Sequence, residues 1–519
     1  MKLLVLFSLC FFLCTVDSLN VLVVFPLAVK SLSILGQGIV RHLLDAGHEV
    51  TYITFYPLKN LMNKNFRQID ISNNTNILNK DDTLTIGYVL ENKIEQNDYK
   101  YMQELCKENA KLTFENEHVK KLLDNPKERF DAIIVDLLET DLYTGLAALY
   151  DCPMIYMYSM GAHWQVLRLI HEATNPAYDT DYLSLSIAPL TFSERVVELW
   201  TRIRWQIYKT WVIYPQERVI YEETFGPLLA KRGRTLPDYD EVAYNVSLIF
   251  GNEHGAIKNR PSTPQNFKYI GGFHIEDPVK PLPKDLQDLM DNAKHGVIYF
   301  SMGSFFKAQT MPKKLTSGLL KMFGELKQTV IWKFEVDLPD VPKNVRIVHW
   351  APQPSILAHP NLKMFITHGG LLSSIETIHF GVPTIGVPIC FDQFTNIKKS
   401  VEHGYALRVT LNYDLPKNLK SAIEVMLQDD RYAKKAKEQS AIYHDTIAKP
   451  GAELVHWVQH VVRTRGAPHL RSPALHVPLY QRLYLDLLAV ILGIIIVLHY
   501  IAISMFRKSP KKVSQKKRN

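Results

Sequence analysis

His368, two glycines, Ser373, Glu376 and the pair Asp392-Gln393 lie within one stretch, FITHGGLLSSIETIHFGVPTIGVPICFDQ, residues 365–393. Together these types could hold a phosphorylated, hydroxyl-rich ligand. Met364–Thr367 reads as a buried strand, followed by a glycine turn and a helix opening near Ser373. Backbone N–H groups at a helix start are unpaired and carry partial positive charge, so they suit a phosphate. His368 adds a side-chain donor for a phosphate oxygen. Glu376, about one turn into the helix, can accept from ribose hydroxyls. Asp392 and Gln393 give a paired acceptor and amide for sugar hydroxyls. A turn with one or two glycines is common; all these parts at this spacing are specific.

Such a site needs rigid elements to position it. Val21–Phe25, Val50–Phe55, Ala132–Val135 and Met154–Tyr158 read as strands of one parallel sheet. Val297–Phe300, Val330–Trp332, Val345–His349, Met364–Thr367 and Thr384–Val387 read as strands of a second. Helical patterns fall between them, over Ile34–Asp45 and Lys314–Phe323 for example. Alternating β and α elements predict doubly wound α/β domains. Asp277–Pro283, DPVKPLP, holds three prolines and no pattern, and predicts a linker.

The 365–393 stretch closely resembles the signature of the UDP-glycosyltransferases, in the UDP-glucuronosyltransferase-like, membrane-anchored, arthropod-type form that carries Leu371-Leu372-Ser373. Three further segments are similar to that family: WAPQPSILAHP (350–360), GVIYFSMGS (296–304) and KSLSILGQGIVRHLLDAGHEVTYIT (30–54). The likeness runs from about residue 19 to the C-terminus. It implies a GT-B type α/β fold, two facing Rossmann-like domains plus a C-terminal transmembrane helix. It also implies transfer of a hexose from a UDP-sugar to small lipophilic acceptors, with inversion at the anomeric carbon. UDP-glucose is the expected donor from the arthropod form, with UDP-glucuronate left open. Trp350 would stack on uracil, and Gln353 one turn on would pair with the base edge or ribose. Ser304, His368, Gly370 and Ser373 would cradle the diphosphate, Glu376 the ribose, and Asp392 and Gln393 the sugar. Fixed donors around a leaving diphosphate stabilise charge that grows in the transition state. Leu372 replaces a side-chain donor found in many relatives, and Thr384 stands where the pattern is apolar.

The acceptor half departs from the family. There, a histidine on the turn after the first strand takes the proton from the acceptor, and a nearby aspartate orients it. Alignment puts Leu32 at the histidine position and Asp136 at the aspartate position. Leucine cannot accept a proton, and losing a positioned base costs on the order of 100- to 10,000-fold. Three readings follow: a transferase for acceptors that need little base help, such as amines or acidic phenols; a replacement base, with His163 in SMGAHWQ as its candidate; or a pseudo-enzyme that binds UDP-sugar or associates with active relatives.

The whole chain narrows the setting. At 519 residues it is too long for one ordinary domain. The net charge of +8 is concentrated at the end, with seven basic residues in the last thirteen, which argues against nucleic acid as a partner. Lys2, the apolar run Leu3–Val16 and Ser18 read as a secretory signal peptide. Cys106, Cys152 and Cys390 remain after its removal, too few for a disulfide scaffold. Leu487–Phe506 carries no formal charge and is long enough, about 30 Å as a helix, to span a bilayer. The basic tail ends KKRN, a dilysine pattern, so we expect a single-pass type I protein of the endoplasmic reticulum membrane with a lumenal body and cytosolic tail. The sequons Asn73-Asn74-Thr75 and Asn245-Val246-Ser247 agree with a lumenal glycoprotein, and the family setting with detoxification.

Residues 191–213 open with a Thr-x-x-Glu capping pattern and mix Trp, Ile and Val with Arg and Lys. That suits either a membrane-surface helix or one covering a sheet. Asp238-Tyr239-Asp240 and Asp179-Thr180-Asp181 are Asp-x-Asp strings without a strand before them, and no Cys/His zinc spacing occurs. We therefore expect no metal and no cofactor, the UDP-sugar being a co-substrate. Gly36-Gln37-Gly38 lacks the third glycine of a dinucleotide fingerprint. The expected divisions are 1–18 signal peptide, 19–276 acceptor-binding domain, 277–284 linker, 285–480 UDP-sugar-binding domain, 487–506 transmembrane helix and 507–519 tail.

Overall fold

Seven strands build the first sheet: β1 (Asn20–Phe25), β2 (Glu49–Thr54), β3 (Phe66–Asp70), β4 (Ala132–Asp136), β5 (Met154–Tyr158), β6 (Val246–Gly251) and β7 (Phe267–Tyr269). Their order is β3-β2-β1-β4-β5-β6-β7, all parallel. Six more, β8 (Val297–Ser301), β9 (Thr329–Lys333), β10 (Val345–Val348), β11 (Leu362–Thr367), β12 (Thr384–Gly386) and β13 (Ala406–Arg408), form a second parallel sheet in the order β10-β9-β8-β11-β12-β13. Both are doubly wound sheets, whose ligands sit outside the carboxyl ends of the strands where the order reverses. Here those switch points are β1/β4 and β8/β11. This computed structural model describes residues 18–59, 61–74, 85–91, 99–170, 174–181, 184, 186, 188–257 and 263–507. Residues 1–17 of the expected signal peptide, Thr75 of the first sequon and the tail from 508 lie outside them.

Helices cover both faces of each sheet, which is why the central strands read as continuous apolar runs. In β1, Leu22 and Val24 join one core while Val21, Val23 and Phe25 join the other. The second sheet divides likewise, with Ile298 and Phe300 on one side and Val297 and Tyr299 on the other. Helix α1 (Lys30–Asp45) follows β1 and buries Leu35, Ile39, Val40 and Leu43 against the first sheet. It starts four residues before the expected Ile34, so Leu32 stands in its first turn.

The strands β3, β6, β7 and β13 were not anticipated. FRQID is mostly polar, and FKY and ALR have only three residues each. Helix α2 (Phe192–Tyr208) has the expected cap: Thr191 Oγ1 accepts from the Glu194 N–H, and Glu194 accepts from the Thr191 N–H at 2.7 Å. Its buried residues are Glu198 and Trp205 alone, while Phe192, Val197, Trp200 and Ile207 are exposed. It does not cover the sheet with an apolar face, as an ordinary packed helix would.

The chain divides into two compact units, one ending at Leu470 and the other from Arg471 onward. Within the first, helix α5 (Pro450–Arg463, after α3 Leu371–Phe380 and α4 Gln393–Glu402) packs Leu454, Val458 and Val461 into the core of the first sheet, beside Val21 and Leu35. Its packing is with the N-terminal half, although it follows the second sheet in sequence. The spacing of those residues, four then three, is one helical stripe. The second unit contains α6 (Leu485–Arg507), apolar and exposed along Leu485–Phe506 and long enough to cross a membrane.

Candidate functional site

A cavity of about 520 Å³ opens at the carboxyl ends of both sheets. Small-molecule sites span roughly 300–1,000 Å³. Every residue expected on the donor side lines it: Ser304, Trp350, Gln353, His368, Gly370, Ser373, Glu376, Asp392 and Gln393. Leu32 lines it too, from the first turn of α1. Asp136 does not.

The phosphate-type cradle is built on strand ends. β11 delivers His368, and α3 starts directly after it with Gly370 as an extended N-cap that has no side-chain cap bond. The first turn of α3 therefore keeps N–H groups for a ligand. Two glycines frame the His368 ring. A Cβ at Gly303 would sit 2.5 Å from His368 Cε1, and one at Gly370 would sit 2.6 Å from Nε2. Gly303 also has φ +79°, a left-handed conformation that side chains resist. Burial, with Lys333 nearby, pushes His368 down to about 4. The ring is neutral at physiological pH and has one N–H to give.

Gln353, Ser373 and Glu376 form one network. The Gln353 amide donates to Ser373 Oγ at 3.0 Å and to Glu376 Oε2, and it accepts from the Tyr299 hydroxyl at 3.2 Å. Nε2 of the buried His274 lies 3.4 Å from Glu376 Oε1. Trp350 is half exposed, and the Lys30 ammonium sits 4.5 Å from its ring centroid. Asp392 accepts from Asn396 at 2.7 Å, and burial raises its carboxyl to about 6. The Gln393 amide oxygen is spent on its own turn, accepting from the N–H groups of Ile389 at 2.9 Å and Cys390 at 3.2 Å.

Lys333, His274 and Glu139 are among the lining residues that had not been anticipated. Lys333 closes β9, is buried, donates to the Gly303 carbonyl at 2.9 Å and pairs with Glu335. A lysine ending the apolar run TVIW was the available signal. His274 and Glu139 are single residues in loops, with no local pattern to mark them.

On the acceptor side, Leu27, Leu32, Met102, Leu137 and Leu138 make an apolar wall. Asp136 ends β4 behind it, fully buried, and neither carboxyl oxygen has a hydrogen-bond partner. Burial pushes it up to about 8, so it is mostly protonated at neutral pH. His163 lies outside the cavity, with Nε2 2.5 Å from the Tyr158 hydroxyl, and burial lowers it to about 3. That geometry and depressed basicity speak against it as the replacement base. The Asp-x-Asp strings have structural partners: Asp181 accepts from the Trp164 indole at 2.7 Å, Asp179 from the Asn175 N–H at 2.7 Å, and Asp240 pairs with Arg218 at 2.9 Å.

Two doubly wound parallel sheets around one cavity make the GT-B fold. Solved structures agree on the fold: a glycosyltransferase, VinC, in complex with DTDP (TM-score 0.55, 16% identity, 86% of this chain and 100% of that one) and Arabidopsis thaliana UGT89C1 complexed with UDP-L-rhamnose (TM-score 0.54, 13% identity, 86% and 99%). The family model for UDP-glucoronosyl and UDP-glucosyl transferase matches residues 20–519, and the chain belongs to that family. It is 30% identical over 480 residues to UDP-glucosyltransferase 2 of Dactylopius coccus, covering 92% of this chain and 90% of the relative. It is also 36% identical over 248 residues to UDP-glucuronosyltransferase 2B15 of Rattus norvegicus, covering 47% of this chain and 46% of that one.

Proposed function

We propose that this chain transfers glucose from UDP-glucose to small lipophilic acceptors with inversion, and that its acceptor range is narrowed to amines and acidic phenols. One observation carries the reading: the full donor-side set shares a cavity with an apolar wall in which leucine stands at the base position. In this reading Trp350 and Gln353 take the uracil end, and Glu376 the ribose. Ser304, His368, Gly370 and Ser373 take the diphosphate, and Asp392 and Gln393 the sugar. Arrival of uracil on the Lys30 face of Trp350 requires that lysine to move. Asp136 is the remnant of the acid–base pair and holds a proton rather than orienting an imidazole. The transfer is metal-free. A name of UDP-glucosyltransferase on a relative matched over most of its length supports glucose as the sugar.

The setting we propose is the endoplasmic reticulum membrane, with α6 as the anchor, the body lumenal and the KKRN end cytosolic. Asn73 and Asn245 are both exposed, as glycosylation requires. The exposed apolar residues of α2 suit contact with the lipid surface.

The deciding experiment is UDP release from UDP-glucose in membranes expressing the chain, across phenols, alcohols and amines. Turnover with amines and acidic phenols is expected. Silence across the panel with retention on UDP-agarose would support the second reading, a pseudo-enzyme, which the unpartnered Asp136 favours. Glu376→Ala should weaken UDP-glucose binding by about 10- to 100-fold, the worth of a hydrogen bond to a charged group. A KM for UDP-glucose unchanged by that substitution would remove Glu376 as the ribose anchor.

A further inference from the structure

Beside the leucines of the acceptor wall stands one carboxylate that the site described above does not use. Glu139 stands three residues beyond the end of β4, on the loop that carries Leu137 and Leu138 into the cavity, and it lines that cavity with them. Asp136 is sealed behind the wall, whereas Glu139 is only partly buried. Among the described residues its carboxylate takes part in no hydrogen bond and no ion pair. A cavity-facing carboxylate with no structural partner is available to a ligand.

We propose that Glu139 is the general base of this transferase, taking the acceptor's proton in place of the imidazole that position 32 lacks. The proposal rests on the reading of the chain as a working transferase. In the step, a lone pair on the acceptor oxygen or nitrogen forms the bond to the anomeric carbon of the sugar. The bond from that carbon to the β-phosphate oxygen breaks, and its electron pair leaves with UDP. The acceptor's proton passes to the Glu139 carboxylate, which becomes a carboxylic acid and later loses the proton to water.

The surroundings tune the group. Burial raises its carboxyl to about 7, with Lys209 and Arg168 pulling down and Asp181 and Asp141 pushing up. Tyr158 and Cys106 also lie within its field. A base works best when its pKa lies near the working pH. Lacking a hydrogen-bond partner, the carboxylate is not held rigidly, so it serves acidic phenols better than alcohols. An amine attacks with its own lone pair and depends on the base less.

The test uses the full-length chain in membranes, with UDP-glucose and a phenol. Glu139→Gln should lower kcat by about 100-fold or more and abolish a rise in rate through about pH 7. Retention on UDP-agarose should be unchanged and amine turnover less affected. Because glutamine could disturb folding, Glu139→Ala with added formate gives a second measurement. Recovery of phenol turnover by formate is expected, since the small acid replaces the lost carboxylate. Wild-type rates and the same pH profile in Glu139→Gln, or no formate rescue in Glu139→Ala that still binds UDP, would overturn Glu139 and leave the transferase standing. A wild type that binds UDP but is silent on the whole panel would overturn the transferase reading itself.

Discussion

Leu32→His should raise turnover of alcohol acceptors by about 100- to 10,000-fold, the usual worth of a positioned general base. Position 32 is in the first turn of α1, just after β1, and Asp136 ends β4; the two strands are hydrogen-bonded neighbours. Leu32 already lines the cavity, so a side chain there reaches the acceptor space. Asp136 has two carboxyl oxygens without partners. An imidazole donating to it would gain an orienting acceptor and a counter-charge for its protonated form. UDP release with alcohols, wild type beside Leu32→His, reads the effect. Amines should change little. Equal, broad activity in both proteins would show that position 32 does not limit acceptor chemistry.

Asp136→Asn should flatten the pH dependence of stability and make the protein more heat-resistant than wild type at pH 8. The carboxyl has a folded pKa of about 8 against an ordinary 3.8, and the cause is burial. Between those values the folded protein holds a proton that the unfolded chain releases. The stability that Asp136 contributes is therefore fully present below about pH 4 and falls as pH rises, by about 1.4 kcal/mol per unit, until the folded group ionises near pH 8. The whole interval corresponds to on the order of 5 kcal/mol, a large share of a typical folding free energy. Asparagine has no proton to lose and removes that slope. Melting of the detergent-solubilised chain from pH 5 to 8 measures it. Parallel curves for the two proteins would mean that Asp136 ionises in contact with water or a cation. In Leu32→His the same slope should shrink, because a histidinium beside Asp136 favours the carboxylate.

The two predictions concern a pair whose missing histidine was legible before any fold was known. KSLSILGQG could be aligned to a Ser-His start, and the substitution stood out at once. The donor half was legible for a related reason. His368, Gly370, Ser373 and Glu376 follow one strand continuously, so their sequence spacing maps directly onto space. Central strands such as AIIVD and VIYFS were legible because both faces are covered and the runs are unbroken. FRQID at an edge of the first sheet and ALR at an edge of the second were not, since an edge strand can be polar or very short. Glu139, Lys333 and His274 escaped because each arrives alone, from a loop or strand end, and only the closed fold makes neighbours of them. The pairing of Lys30 with Trp350 is of the same kind, joining residues from opposite halves of the chain.

Helix α5 bears on how such enzymes can be recombined. Its Leu454, Val458 and Val461 belong to the core beneath β1, though they lie beyond every strand of the second sheet. A hybrid joined at residues 277–284 would give the first sheet a foreign closing helix, whose stripe was selected against other side chains. Exchange of acceptor specificity between relatives should therefore succeed when the segment 450–470 travels with the N-terminal half. The fragment 19–276 made alone would leave that stripe's socket open to water, an invitation to aggregate.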